Sequence, residues 1–141
     1  MTQINFYNLQ QDTEQMRKLF ACRLTEKALS LGHRVCLFAG SEAIASEIDA
    51  LLWSFSSTSF IPHAIVAANG TSAEDVSIAV STLPSDATDV VINLTSDALD
   101  NVVGIARVNE IIIQEPEALE QARARYRHYQ QAGVKPEMIK L

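Results

Sequence analysis

Between Val35 and Ala106 the chain carries no lysine or arginine, while nine Asp and Glu fall in the same span. Over 141 residues the net charge is −6. A general nucleic-acid binder needs a basic surface to displace counterions, so this balance argues against that class. Glycine is scarce, at 5 residues, and is missing where a nucleotide enzyme needs it. The turn after the first apolar segment, Asn8-Leu9-Gln10-Gln11-Asp12, holds none and cannot wrap a phosphate. The next, Ala39-Gly40-Ser41-Glu42, holds one and puts Glu42 where an anion would sit. No G-x-S-x-G elbow occurs. Two cysteines, Cys22 and Cys36, read as plain buried thiols rather than a disulfide framework. His33, His63 and His128 have no metal-ligand spacing, and no cofactor is implied. MTQINFYNLQQD lacks the basic and apolar regions of a signal peptide. No apolar run approaches the roughly 20 residues of a membrane span. The expectation is a cytoplasmic binding or structural protein.

What is present is an alternation of strand and helix patterns. Gln3 to Leu9 reads as a first strand, followed by a helix capped at Asp12 or Thr13. That helix carries Met16, Leu19, Phe20, Cys22, Leu24, Ala28 and Leu31 at helical spacing and stops at Gly32. Arg34 to Ala39 is an apolar run of the kind found in interior strands. Ser41 caps a second helix that ends near Trp53. Ile65 to Ala67 is a short strand, and Asn69-Gly70 a turn. Val76 to Val80 alternates, as for a strand with one buried face, and Val90 to Leu94 is a buried strand. Asp97 to Arg107 is weakly patterned and reads as a short helix. Glu110 to Ile113 gives a last strand, and a final helix runs from Pro116 to about Ala132. The expected fold is α/β: a three-layer Rossmann-like sandwich over 1–141 as one domain. It has a mostly parallel sheet, helices on both faces and no functional nucleotide-binding loop.

Two segments stand out. The first, EALEQARARYRHYQQAG from Glu117 to Gly133, puts three arginines and two tyrosines within seven residues of an acidic protein. On a helical wheel Leu119, Ala122, Tyr126 and Tyr129 form one stripe toward the sheet. Arg123 and Arg127 share one edge of it beside Tyr126, and Arg125 falls on the opposite edge. Guanidiniums beside an aromatic ring and a groove suit an acidic peptide with an apolar end. The plainer reading is a solvated helix face with cations favouring the macrodipole. The second segment, WSFSSTSFIPH, crowds Trp53, Phe55, Phe60 and Ile61 into a stretch that Pro62 keeps out of a sheet interior. It reads either as a cover for the core or as an apolar patch for a permanent partner.

At these residues the sequence resembles the chi subunit family of bacterial DNA polymerase III, over nearly the whole chain. The resemblance rests on FYNL in the first strand, G-H-R-V after the first helix, L-L-W ahead of S-F-I-P-H, and the closing A-R-A-R-Y-R-H-Y-Q-Q-A-G. It implies a non-catalytic accessory subunit of the clamp-loader assembly. Such a subunit binds the psi subunit and, separately, the acidic C-terminal tail of single-stranded DNA-binding protein, which ends in Pro-Phe. Carried over by position, the tail-binding arginine falls on Arg123, its tyrosine neighbour on Tyr126 and a basic position on Arg127. The psi surface falls on Phe60 with Trp53, Ile61 and Pro62. Contact with nucleic acid is then indirect, and none with a membrane is implied. Two departures affect the tail pocket: Leu119 and Glu120 stand where some relatives carry a lysine, and the ending VKPEMIKL differs. The competing readings are a small nucleotide-binding α/β hydrolase or transferase, and direct binding of single-stranded DNA by the Arg/Tyr helix.

Overall fold

The computed structural model describes residues 2–55, 61, 63–66 and 74–141. In chain order the elements are β1 (Gln3–Asn8), α1 (Glu14–Ser30), β2 (Val35–Phe38), α2 (Glu42–Ser54), β3 (His63–Val66), β4 (Val76–Ala79), β5 (Val90–Asn93), β6 (Arg107–Ile112), α3 (Pro116–Gln131) and β7 (Glu137–Lys140). The seven strands form one sheet in the order β3-β4-β2-β5-β6-β1-β7, and every pairing is parallel.

Helices cover both faces of the sheet, as the alternating pattern predicts. On one face Ala21 and Cys22 of α1 and Ala45, Ile48 and Leu52 of α2 pack on Leu37, Ile78, Ile92 and Ile111. On the other, Ala122 and Tyr129 of α3 pack on Ile4, Phe6, Val91 and Val108. The helix starts follow local chemistry. The Thr13 hydroxyl accepts from the Met16 amide at 3.2 Å, and Ser41 from the Ile44 amide at 3.2 Å. Pro116 opens α3, and the Glu115 carboxylate accepts from the amides of Glu117 and Ala118.

Four expectations change. Phe20, Cys22, Leu24 and Ala28 of the α1 stripe do face the core, but Arg17, Ala21 and Thr25 are buried with them, while Leu31 caps the helix in solvent at 64% exposure. Arg17 turns inward because its guanidinium donates to the Leu94 carbonyl, and Thr25 satisfies its hydroxyl on the Ala21 carbonyl. Second, β4 is buried along its whole length, because β3 and β2 flank it and side chains from both cores meet it. Third, residues 94–106 hold no helix. Adjacent parallel strands need a crossover of about a dozen residues. This loop supplies it, burying Leu99, Val102 and Ile105 against the α3-side core. Their spacing of three is what imitates a helix. Fourth, the ending contains a strand, β7, which pairs with β1 in the register Asn5↔Glu137 to Asn8↔Lys140. β3 begins at His63 and lies at the sheet edge. The predicted turn at Asn69-Gly70, and Ala67, lie outside the described residues.

Candidate functional site

Helix α3 is fixed before its outer face is considered. Tyr129 is buried, donates from its hydroxyl to Glu110 Oε2 at 2.6 Å and accepts from the Leu99 amide at 3.0 Å. Arg125, one turn earlier, is buried too. Its Nε donates to Glu110 Oε1 at 3.0 Å, and Nη1 donates to the Ser96 carbonyl at 3.2 Å. Asn93 completes the set by donating to Glu110 Oε2 at 2.9 Å. Burial pushes the Glu110 carboxyl up from its ordinary range, and Arg125, Tyr129 and Asn93 pull it back. Sequence reading missed this cluster. Its signal is Glu110 itself, a lone acid in the apolar run V-N-E-I-I-I, which needs a buried partner.

With Arg125 engaged inward, Arg123 and Arg127 remain on the outer edge. Both are exposed, and neither pairs with an acid among the described residues. They border a cleft of about 380 Å³ whose walls are Ile112, Leu119, Ala122, Tyr126 and Met138, with Asn8 at one end. Tyr126 is held on two sides. Its hydroxyl donates to the Pro136 carbonyl at 3.1 Å, and its ring tilts on Phe6 with centroids 5.2 Å apart. The two departures noted in the sequence acquire positions. Leu119 contributes an apolar wall, and the divergent ending folds as β7 and contributes Met138. The structure thus brings Arg123, Tyr126 and Arg127 together around one apolar cleft.

The second predicted surface is at the other edge of the sheet. Trp53 on α2 is 58% exposed, and its ring lies 4.9 Å from that of His63 on β3. His63 is clamped between Asp49 (Nε2, 2.9 Å) and the Ile61 carbonyl (Nδ1, 2.7 Å). Ile61 points into the α2-side core and is buried. Phe60 and Pro62 lie outside the described residues. β3 and β7 end the sheet on opposite sides. Six inter-strand steps of about 4.8 Å separate the two edges by roughly 30 Å.

A larger hollow, about 1000 Å³, opens at the carboxyl ends of β2 and β5, where α/β folds commonly hold ligands. Gly40 sits there with φ +86°, and a Cβ on it would meet Thr95 Cγ2 at 2.6 Å. The hollow is bordered by Asp97 and Asp100, and its guanidinium, Arg125, is already bound to Glu110. The lining therefore offers no uncommitted lysine or arginine to a phosphate. Among the described residues no group of three His, Cys, Asp or Glu is placed to hold a metal. No described helix is long and apolar enough to cross a membrane.

The family model described as "DNA polymerase III chi subunit, HolC" matches residues 1–137. A DNA polymerase III subunit chi from Pseudomonas aeruginosa is 36% identical over 133 residues, covering 94% of this chain and 92% of the relative. A match of that extent covers nearly the whole chain: the chain belongs to the DNA polymerase III chi subunit family, whose members are accessory subunits of the replicative polymerase.

Proposed function

We propose that this chain bridges two proteins at replicating DNA and performs no chemistry itself. The α3 cleft takes the acidic C-terminal tail of single-stranded DNA-binding protein: Arg123 and Arg127 grip its carboxylates while an apolar terminal side chain fills the space beside Tyr126 and Met138. The opposite edge, around Trp53 with Phe60, Ile61 and Pro62, takes the psi subunit and through it the clamp loader. Trp53 is the exposed anchor there, and Ile61 supports the segment from within the core. The single domain works in the cytoplasm, without a cofactor, and meets nucleic acid only through its partners.

The observation that carries this reading is two exposed arginines without an acid partner among the described residues, rimming an apolar cleft, on a protein of net charge −6. Charge complementarity to an acidic segment follows from it. Separation of the two surfaces by the width of the sheet supports simultaneous binding, which raises the local concentration of one partner at the other. A pull-down with single-stranded DNA-binding protein, with and without its last residues, tests the reading. Capture that persists after removal of the tail overturns it.

A further inference from the structure

A second basic cleft lies on the opposite face of the sheet, and the bridging function does not use it. It measures about 300 Å³ and runs between α1 and the β1–β6 part of the sheet. Alternation along β1 separates it from the α3 cleft: Phe6 faces α3, and Tyr7 faces α1, where its ring tilts on Phe20 at 5.5 Å. Three cations surround it: Arg23 and Lys27 on α1, and Arg107 on β6. None pairs with an acid among the described residues. Asp89 on the loop entering β5 is engaged by His33 at 3.2 Å and by the Arg34 amide at 2.9 Å.

The arrangement leaves three cations without local acid partners among the described residues and open to a ligand. Like charges at i, i+4, as Arg23 and Lys27 are, disfavour a helix. Arg107 opens a strand whose other five residues are all buried. Beside the cations, Leu31 at 64% and Leu141 at 55% exposure are two of the few large apolar side chains left in solvent. We propose that this cleft is a docking site for an acidic polypeptide segment carrying an apolar side chain. The cations match its carboxylates, and Leu31 and Leu141 match its apolar group. A nucleic acid would satisfy the cations only; Leu31 and Leu141 offer nothing to a phosphate chain.

The test uses the full chain with Arg123→Ala and Arg127→Ala, which disables the α3 cleft and leaves this one intact. The probe is a fluorescein-labelled Asp-Asp-Glu-Asp-Leu-Phe peptide with an amidated C-terminus, followed by anisotropy at low salt. Residual binding is expected, and adding Arg23→Ala and Lys27→Ala is expected to weaken it at least tenfold. Circular dichroism should show both proteins folded, because the substituted side chains are exposed. In the Arg123→Ala/Arg127→Ala protein, amide shifts at Tyr7, Leu31 and Leu141 on adding peptide would support the site. Residual binding that ignores Arg23 and Lys27, or no residual binding at millimolar peptide, overturns the proposal. Tighter, Arg23-dependent binding of an oligothymidylate than of the peptide overturns it in favour of nucleic acid. Because the Arg123 and Arg127 pair is absent throughout, failure here leaves the α3 reading untouched.

Discussion

Arg125 Nε lies 3.0 Å from Glu110 Oε1, with both side chains withdrawn from solvent, and this pair joins α3 to the strand in front of it. The two residues flanking Arg125 at i−2 and i+2 are Arg123 and Arg127. The buried contact therefore sets the rotation of the helix and with it the direction in which the other two guanidiniums project.

Breaking that pair from one side leaves a buried charge without compensation. Arg125→Met or Glu110→Leu alone is expected to cost about 3–5 kcal/mol of stability, measured by urea denaturation. The double substitution should be less destabilised than the two single costs summed, because the partners are coupled. Strict additivity would show that the contact contributes no coupling.

Arg123→Ala is expected to weaken binding of the acidic tail peptide by more than about 1.4 kcal/mol, or tenfold, in isothermal titration calorimetry. Raising the salt concentration should weaken the wild type more than the variant, because the variant has lost one screened charge pair. Arg123→Lys should recover part of the loss, keeping charge without the planar fork. An unchanged dissociation constant on Arg123→Ala would sink the assignment.

On the other edge, Trp53→Ala is expected to reduce psi association by about 2 kcal/mol or more, the size typical of an aromatic anchor. Phe60→Ala should act in the same direction. Neither should change affinity for the tail peptide, since α2 and α3 occupy opposite faces and the two surfaces opposite sheet edges. Loss of both interactions in one variant would point to unfolding instead.

Burial pushes the Cys22 thiol up to about 12, and it raises Cys36 as well. The raised value means the proton is held more tightly in the folded chain, so the reactive thiolate is suppressed at neutral and mildly alkaline pH. At pH 8 the thiolate fraction of Cys22 is on the order of 10⁻⁴. A thiol-disulfide exchange reagent should therefore modify neither cysteine in the native state and both after denaturation. Rapid native labelling would contradict the buried positions.

Much of the architecture is legible locally. Thr13, Ser41 and Pro116 mark helix starts through groups that act within three residues, and V-V-I-N-L or R-V-C-L-F-A mark strands through apolar runs bounded by turn residues. The family motifs at Phe6 to Leu9 and Ala122 to Gly133 are also readable without coordinates. Legibility ends where a residue's role depends on a distant partner. Arg17 resembles a solvated helix cation until the Leu94 carbonyl is brought beside it. Leu31 resembles a core residue until the helix ends under it. Leu99, Val102 and Ile105 imitate a helix because a loop crossing an apolar sheet must bury side chains at intervals too.

The sequence by itself determined the α/β alternation, the lack of a phosphate-wrapping turn and the crowding of arginine and tyrosine in one acidic chain, because each is a property of neighbouring residues. Only the tertiary structure decided which arginine turns inward, that the divergent ending becomes an edge strand walling a cleft, and that the two candidate surfaces stand a sheet's width apart. Those outcomes depend on strand order and on pairing between segments 132 positions apart, as in Asn5 of β1 with Glu137 of β7, and short-range patterns carry no term for such contacts.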